Sequence, residues 1–426
     1  MKTLNLIFLV HEPRPLKHYT FFDIGDDHYY FDDYSHQHTI LQACEECYIP
    51  TNNILLNIIK NSVGKVKVSF AISGTMLSRL EEMSPETIDS FAALAKTGSV
   101  EFMAMPYSYS LASLFDDNEF RRQVRLQADS IERLFGVRPV SFVNTSLIYT
   151  DTIGECVADL GFKYAIIENA KHVMGWKSPH RLYNHPNKNL RLLIRDNTLS
   201  DRLSLHFSNP SKTITAEQFA IEIATSSEEE ESFNLVFGYD SFGLKNREDS
   251  GIFEFLKALP YYCLENQIEF STPKEISKKI KPVEKLPILY PISWQGEEKS
   301  INAYSGNQLQ AEALEKLYGI AGRVNMSADK LLLQDWYYLQ DVQNLYAMSD
   351  DYCHYTPHDE RQYNSIYQAF MNFMNIISDF KDRVKAQFPS SVEDEELNAL
   401  LKTIRNQNDE INALKAEISR LKHSKK

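Results

Sequence analysis

The chain has 426 residues, with 45 Lys plus Arg against 58 Asp plus Glu and a formal net charge of −13 at pH 7. Hydrophobic residues make up 43% and aromatic residues 12%, so the chain is globular and can bury a large core without disulfide or metal staples. Its acidic average surface repels polyanions, which excludes nucleic acid and an anionic membrane leaflet as default partners and leaves a neutral substrate.

The run Leu4-Asn5-Leu6-Ile7-Phe8-Leu9-Val10 is interrupted by Asn5 and ends in His11-Glu12-Pro13, with no small-residue cleavage site. It reads as a buried parallel strand rather than a signal peptide. Further strands are expected at 66–72, 100–104, 140–143, 164–167, 190–194, 203–207, 233–237 and 268–271, most of them short, unbroken and apolar. Between them lie helical periods. The clearest covers 118–135, where Phe120, Val124, Ala128, Ile131 and Leu134 share one stripe ahead of Gly136. Alternating strands and helices imply parallel βαβ units, and this number of strands over residues 1–280 favours closure into a barrel. In such barrels the chemistry sits beyond the carboxyl ends of the strands.

Residues 281–304 carry Pro282, Pro287 and Pro291 and read as a linker or wrapping arm. Residues 305–388 read as a helical bundle rich in aromatics. Pro389 then breaks the chain ahead of a tail at 393–426, in which Leu397, Leu400, Ile404, Gln407, Ile411, Leu414, Ile418 and Leu421 recur at spacings of three and four. Ile at a with Leu at d favours a parallel two-stranded coil, and Glu410 with Lys415 and Glu417 with Lys422 match at g and e. A parallel homodimer through residues 397–421 is expected, the alternative being a lone surface helix. No apolar stretch reaches the ~18 residues of a membrane span. The odd, sparse cysteines (Cys44, Cys47, Cys156, Cys263, Cys353) point to a reducing, cytoplasmic setting.

Cys44-Glu45-Glu46-Cys47 with His36 and His38 has spacing a zinc site could use, but the cysteines share an amphipathic helical stretch with Leu41 and Tyr48. Two reduced thiols are the expectation, with no metal and no cofactor. More informative are the polar and aromatic strand ends: His11-Glu12-Pro13, Met105-Pro106-Tyr107-Ser108-Tyr109, Asn144-Thr145-Ser146-Leu147-Ile148-Tyr149 and Gly238-Tyr239-Asp240-Ser241-Phe242-Gly243. Together they make a ligand cleft at the barrel mouth the natural expectation.

These segments, with Phe21-Phe22-Asp23-Ile24-Gly25-Asp26-Asp27-His28-Tyr29-Tyr30 and Leu333-Gln334-Asp335-Trp336-Tyr337-Tyr338, resemble the motifs of glycoside hydrolase family 57, and most nearly its α-amylase-like branch. The resemblance covers nearly the whole chain. It implies an α/β fold: an incomplete (β/α)7 TIM-like barrel followed by a helical bundle, and the C-terminal coiled coil also has parallels there. It also implies a retaining mechanism on α-glucans such as glycogen or maltooligosaccharides, in storage-glucan metabolism.

The departures bear on activity. A retaining glycosidase needs two carboxyl groups ~5 Å apart. The family nucleophile, a Glu, falls on Ser146, and the family acid/base, an Asp, falls on Gly238. Glu12 stands where the family has Gln, and a His of the second motif would fall near Tyr109. Ser146 has no base that the sequence places beside it, and Gly238 has no proton to give. If the strand runs on past Phe237, Asp240 shares a face with residue 238 and could reach the vacated position. Glu12 could supply the second carboxyl, the alternative being that both make ordinary rim hydrogen bonds. The resemblance assigns sugar contacts to His11, Glu12, Tyr109, Trp176, Asp335 and Trp336. A catalytically impaired homologue that binds glucan or regulates a partner is therefore expected. The rivals are an active hydrolase or 4-α-glucanotransferase with relocated carboxyls, and a dimeric scaffold that binds no sugar.

Overall fold

Among the described residues ten strands form: β1 (Thr3–Val10), β2 (Val68–Ile72), β3 (Val100–Met103), β4 (Ser141–Val143), β5 (Tyr164–Ile167), β6 (Leu182–Asn184), β7 (Arg191–Ile194), β8 (Ser232–Gly238), β9 (Glu269–Phe270) and β10 (Glu284–Lys285). The computed structural model describes residues 2–209, 213–357 and 361–388 and, in the tail, Leu400, Thr403, Ile404, Asn406, Gln407, Ile411 and Leu414.

Seven strands run parallel around a ring. β1 lies between β2 and β8, β3 follows β2, and β4, β5 and β7 pair in a second sheet. Single parallel bridges join the two sheets, Ala104 to Phe142 on one side and Arg195 to Asn234 on the other. The second seam is open lower down because β6 pairs antiparallel with β7 at the edge β8 would otherwise take. The alternation of β1 shows how the ring is filled. Leu4, Leu6, Phe8 and Val10 pack outward among the surrounding helices, while Ile7 and Leu9 point into the interior with Ala71, Met103 and Val236. That interior is continuous with the apolar side chains of residues 303–384, so barrel and helical region share one core.

A carboxylate fixes the helical region to the barrel. The helix Asp117–Phe135 starts on an Asp116 cap and carries Glu119, fully buried, in its first turn. Glu119 accepts hydrogen bonds from Arg122 at 2.9 Å, Asn325 at 2.6 Å, Gln340 at 3.0 Å and the Trp336 indole at 3.2 Å. Burial alone would raise its pKa, but Arg122, Gln123 and Gln340 more than offset that and hold the carboxyl below its ordinary range.

The expected strand at 203–207 is not one. Asp196 caps a helix, Asn197–Ser204, by accepting from the Leu199 amide, and Leu199 and Leu203 bury one helical face. Residues 281–304 pack on the barrel: β10 pairs with β6, the Asp151 amide donates to the Ile288 carbonyl at 2.8 Å, and Ile292 bridges Tyr149. Cys44 and Cys47 are buried free thiols in a π-helical turn, Cys44–Tyr48, and burial pushes the Cys47 thiol well up. No described helix is long and apolar enough to cross a membrane. The heptad tail, 397–421, lies mostly outside the described residues. Leu400, Ile404, Ile411 and Leu414, which are described, are helical and exposed.

Candidate functional site

The carboxyl end of β1 presents His11 and Glu12. Both imidazole nitrogens of His11 are engaged, Nδ1 with the Ser73 hydroxyl at 2.9 Å and Nε2 with Asp341 at 3.0 Å. Asp341 caps the short helix Val342–Tyr346, so the helical region sits directly on the barrel mouth. The His11 ring stacks on Tyr109, with centroids 4.3 Å apart, and the Tyr109 hydroxyl accepts from the Ser146 amide at 3.3 Å. Tyr109, Ser146 and Leu147 hold φ of 50°, 50° and 56°, a left-handed conformation that costs each non-glycine residue about 1 kcal/mol or more. Such strain persists only where neighbours enforce it. Here Ser146 is buried, the Tyr304 hydroxyl donates to its Oγ at 2.7 Å, and its carbonyl accepts from the Trp294 amide at 2.9 Å. The 281–304 segment thus closes over this position.

The end of β8 carries the other motif. Gly238 adopts ordinary extended backbone, φ −62° and ψ 139°, so conformation does not require a glycine. A Cβ there would lie 2.4 Å from Oδ1 of Asp240, so a side chain at 238 would displace the end of that carboxylate. Asp240 has folded its carboxylate into the volume a side chain at 238 would use, with Oδ2 accepting from Lys245 at 2.7 Å and Oδ1 buried. Glu12 is coupled to this group. Burial, and then the charge of Asp240, push the Glu12 carboxyl up to about 8, against the opposing effect of the Tyr48 hydroxyl that donates to it at 3.1 Å. Glu12 thus holds its proton more tightly than an ordinary carboxyl, beside the lysine-paired Asp240.

Two cavities open on these groups. One of about 480 Å³ is lined by Arg195, Phe237, Gly238, Lys245, Trp294 and Tyr355, among others. A second, of about 590 Å³, has Glu12 and Arg14 on the barrel side and Gln343, Asn344, Tyr352 and Gln362 on the helical side. Aromatic faces and planar amides around a mouth that holds charges of both signs suit a neutral polyhydroxyl ligand.

Residues 5–289 match the sequence model of glycosyl hydrolase family 57. The chain belongs to that family. It is 30% identical over 377 residues to a Methanocaldococcus jannaschii protein named "Putative alpha-amylase", covering 84% of this chain and 79% of that one. Two solved structures share the fold. A family 57 branching enzyme from Thermococcus kodakaraensis superposes with a TM-score of 0.65 at 13% identity, covering 90% of each chain. A 4-alpha-glucanotransferase from Thermococcus litoralis gives 0.63 at 15% identity, covering 89% of this chain and 60% of that one.

Within this family 57 chain the residues singled out from sequence separate into two groups. His11, Glu12, Tyr109, Ser146, Gly238 and Asp240 converge at the mouth through the contacts above. Trp336 does not: it is fully buried, stacked on Phe380 and bonded to Glu119, so it has no face to offer a ligand. Asp335 is spent on an ion pair with Arg383 at 2.8 Å. Trp176 stands at the surface on the loop after β5. Sequence reasoning missed Trp294, Tyr304, Lys245, and the buried pair of Arg195 with Glu168 at 3.3 Å. Glu168 directly follows β5, and a carboxylate just past an apolar strand was the available signal.

Proposed function

We propose that the mouth of this barrel binds a neutral α-glucan, and that the double-displacement hydrolysis implied by the family resemblance no longer runs through positions 146 and 238. The observation that carries the reading is the burial of Ser146 under Tyr304. The Ser146 hydroxyl already accepts from Tyr304 at 2.7 Å, and no carboxylate among the described residues is hydrogen-bonded to it, so position 146 offers an anomeric carbon no activated nucleophile. Family membership supports the glucan, and so do the cavities at Gly238 and Glu12 with their aromatic and amide linings. On this reading the protein acts by holding glucan, or by regulating a partner, as a dimer joined through residues 397–421. The exposed Leu400, Ile404, Ile411 and Leu414 are the described part of that seam. Retention on immobilised glycogen, competed off by maltooligosaccharide, tests the binding. A protein that passes through unretained would leave the dimeric scaffold.

A second reading rests on one specific observation, the Asp240 carboxylate sitting where a side chain at 238 would be. Glu12, whose carboxyl is pushed up by burial, and Asp240, paired with Lys245, would then serve as proton donor and as base or nucleophile in a relocated hydrolase or glucanotransferase. Any turnover found should then vanish in Asp240→Ala, and survival of turnover in that variant would eliminate the pair.

A further inference from the structure

The barrel interior is apolar in the layer of Ile7, Ala71, Met103, Val143 and Val236. Two residues earlier in each of those strands, where the period of two returns to the same face, every side chain is polar: Asn5, Ser69, Glu101, Ser141 and Asn234. The amino end of the barrel therefore has a polar floor, at the far end from the mouth. Ser271, just after β9, joins it, because its amide donates to the Leu4 carbonyl at 3.0 Å, beside Asn5.

The amide donors of this floor are spent. Asn5 Nδ2 donates to Asn234 Oδ1 at 3.3 Å, and Asn234 Nδ2 to the Ile194 carbonyl at 3.0 Å. The Ser141 hydroxyl donates to Glu101, and so does the Lys274 amide, at 3.0 Å. What is left over is oxygen. Asn5 Oδ1, Ser69 Oγ and Ser271 Oγ are fully buried and have no partner among the described protein atoms. A buried polar group left unpaired costs about 1–3 kcal/mol, so three of them in one layer mark a site that takes a ligand.

The chemistry of the layer selects that ligand. Ser69 stands opposite Glu101 in the β2–β3 register, so a carboxylate borders the unpaired oxygens. Burial raises the Glu101 carboxyl, and the hydrogen bonds from Ser141 and the Lys274 amide oppose that without cancelling it. The Lys274 charge acts on Glu101 less than those bonds do. Neutral oxygens around a single carboxylate suit a hard cation of single charge. Among the described residues no group of three or more His, Cys, Asp or Glu could hold a metal ion, which leaves a divalent or transition metal without its usual ligands.

We propose that the barrel floor binds one alkali-metal cation, sodium or potassium, through Asn5 Oδ1, the Ser69 and Ser271 hydroxyl oxygens and the Glu101 carboxylate. The ion ties β1, β2, β3 and the segment after β9 together. Glu101 is only half-buried, so the ion enters past it from the solvent. The site is independent of what the mouth binds.

The test is urea unfolding of the natural protein, Ser69→Ala and Glu101→Gln in sodium, potassium and choline chloride at equal ionic strength. At about 100 mM salt, replacing choline by the preferred alkali ion should lower the unfolding equilibrium constant on the order of tenfold, as for a site filled at about ten times its dissociation constant. In both variants the gain should shrink to about twofold or less. A natural protein indifferent to the choice of cation overturns the proposal and leaves the floor to ordered water. A gain equally large in all three proteins puts the ion elsewhere and overturns it as well. Should the variants not fold, crystals of the natural protein soaked in a thallous salt decide: an anomalous peak in contact with Asn5 Oδ1 supports the site, and its absence there overturns it.

Discussion

Glu12 gives the mouth a measurable pH signature. In the folded chain its carboxyl keeps a proton up to about pH 8, whereas its ordinary value is 4.5. Between those values the folded state binds one proton more than the unfolded state, so stability falls as pH rises through the window. At ~1.4 kcal/mol per pH unit, the span from 4.5 to about 8 sets a ceiling of about 5 kcal/mol. Glu12→Gln cannot ionise, and its amide oxygen can still accept from Tyr48. Urea unfolding at pH 5, 7 and 9 should therefore show the natural protein losing up to about 4 kcal/mol relative to Glu12→Gln between the extremes, the two differing least at pH 5. Asp240→Asn should shrink that loss without removing it, because burial is the larger cause of the shift and the Asp240 charge the smaller. A difference between the natural protein and Glu12→Gln that stays constant from pH 5 to 9 would refute the raised Glu12 carboxyl, and a loss unchanged by Asp240→Asn would refute its coupling to Asp240.

Two further outcomes follow from other parts of the fold. Glu119→Ala strips the shared acceptor from Arg122, Asn325, Trp336 and Gln340, leaving buried donors unpaired, and should destabilise the protein by about 3–5 kcal/mol in urea unfolding. A loss below ~1 kcal/mol would mean that the contact between barrel and helical region does not depend on it. Deletion of residues 389–426 should halve the mass measured by light scattering, and an unchanged mass per chain would remove the coiled-coil dimer.

Much of the barrel was legible because strands buried on both faces are largely apolar, as β1 and β2 are apart from Thr3, Asn5 and Ser69. The segment 203–207 misled because Leu203, Leu205 and Phe207 alternate like a strand. The better signal was Leu199 with Leu203, four apart behind a capping Asp196. At the mouth, Ser146, Gly238, Glu12 and Asp240 were legible because each lies just past a strand end. Tyr304 and Trp294 were not: they reach Ser146 from about 150 residues further along the chain, and nothing local in a sequence encodes such a contact. Trp336 was misjudged as a sugar contact although its helix buries Leu332, Trp336 and Leu339 at helical spacing, the ordinary signature of core. The space left at Gly238 could be anticipated, but its occupation by the Asp240 carboxylate needed the geometry.

The most direct test of glucan binding without the implied chemistry is a long incubation of concentrated protein with glycogen and maltooligosaccharides. The products are resolved by chromatography, and retention on glycogen is measured on the same preparation. The account predicts retention with no new oligosaccharide. Chain-shortened or redistributed products, abolished by Asp240→Ala, would contradict it and move the chemistry to Glu12 and Asp240.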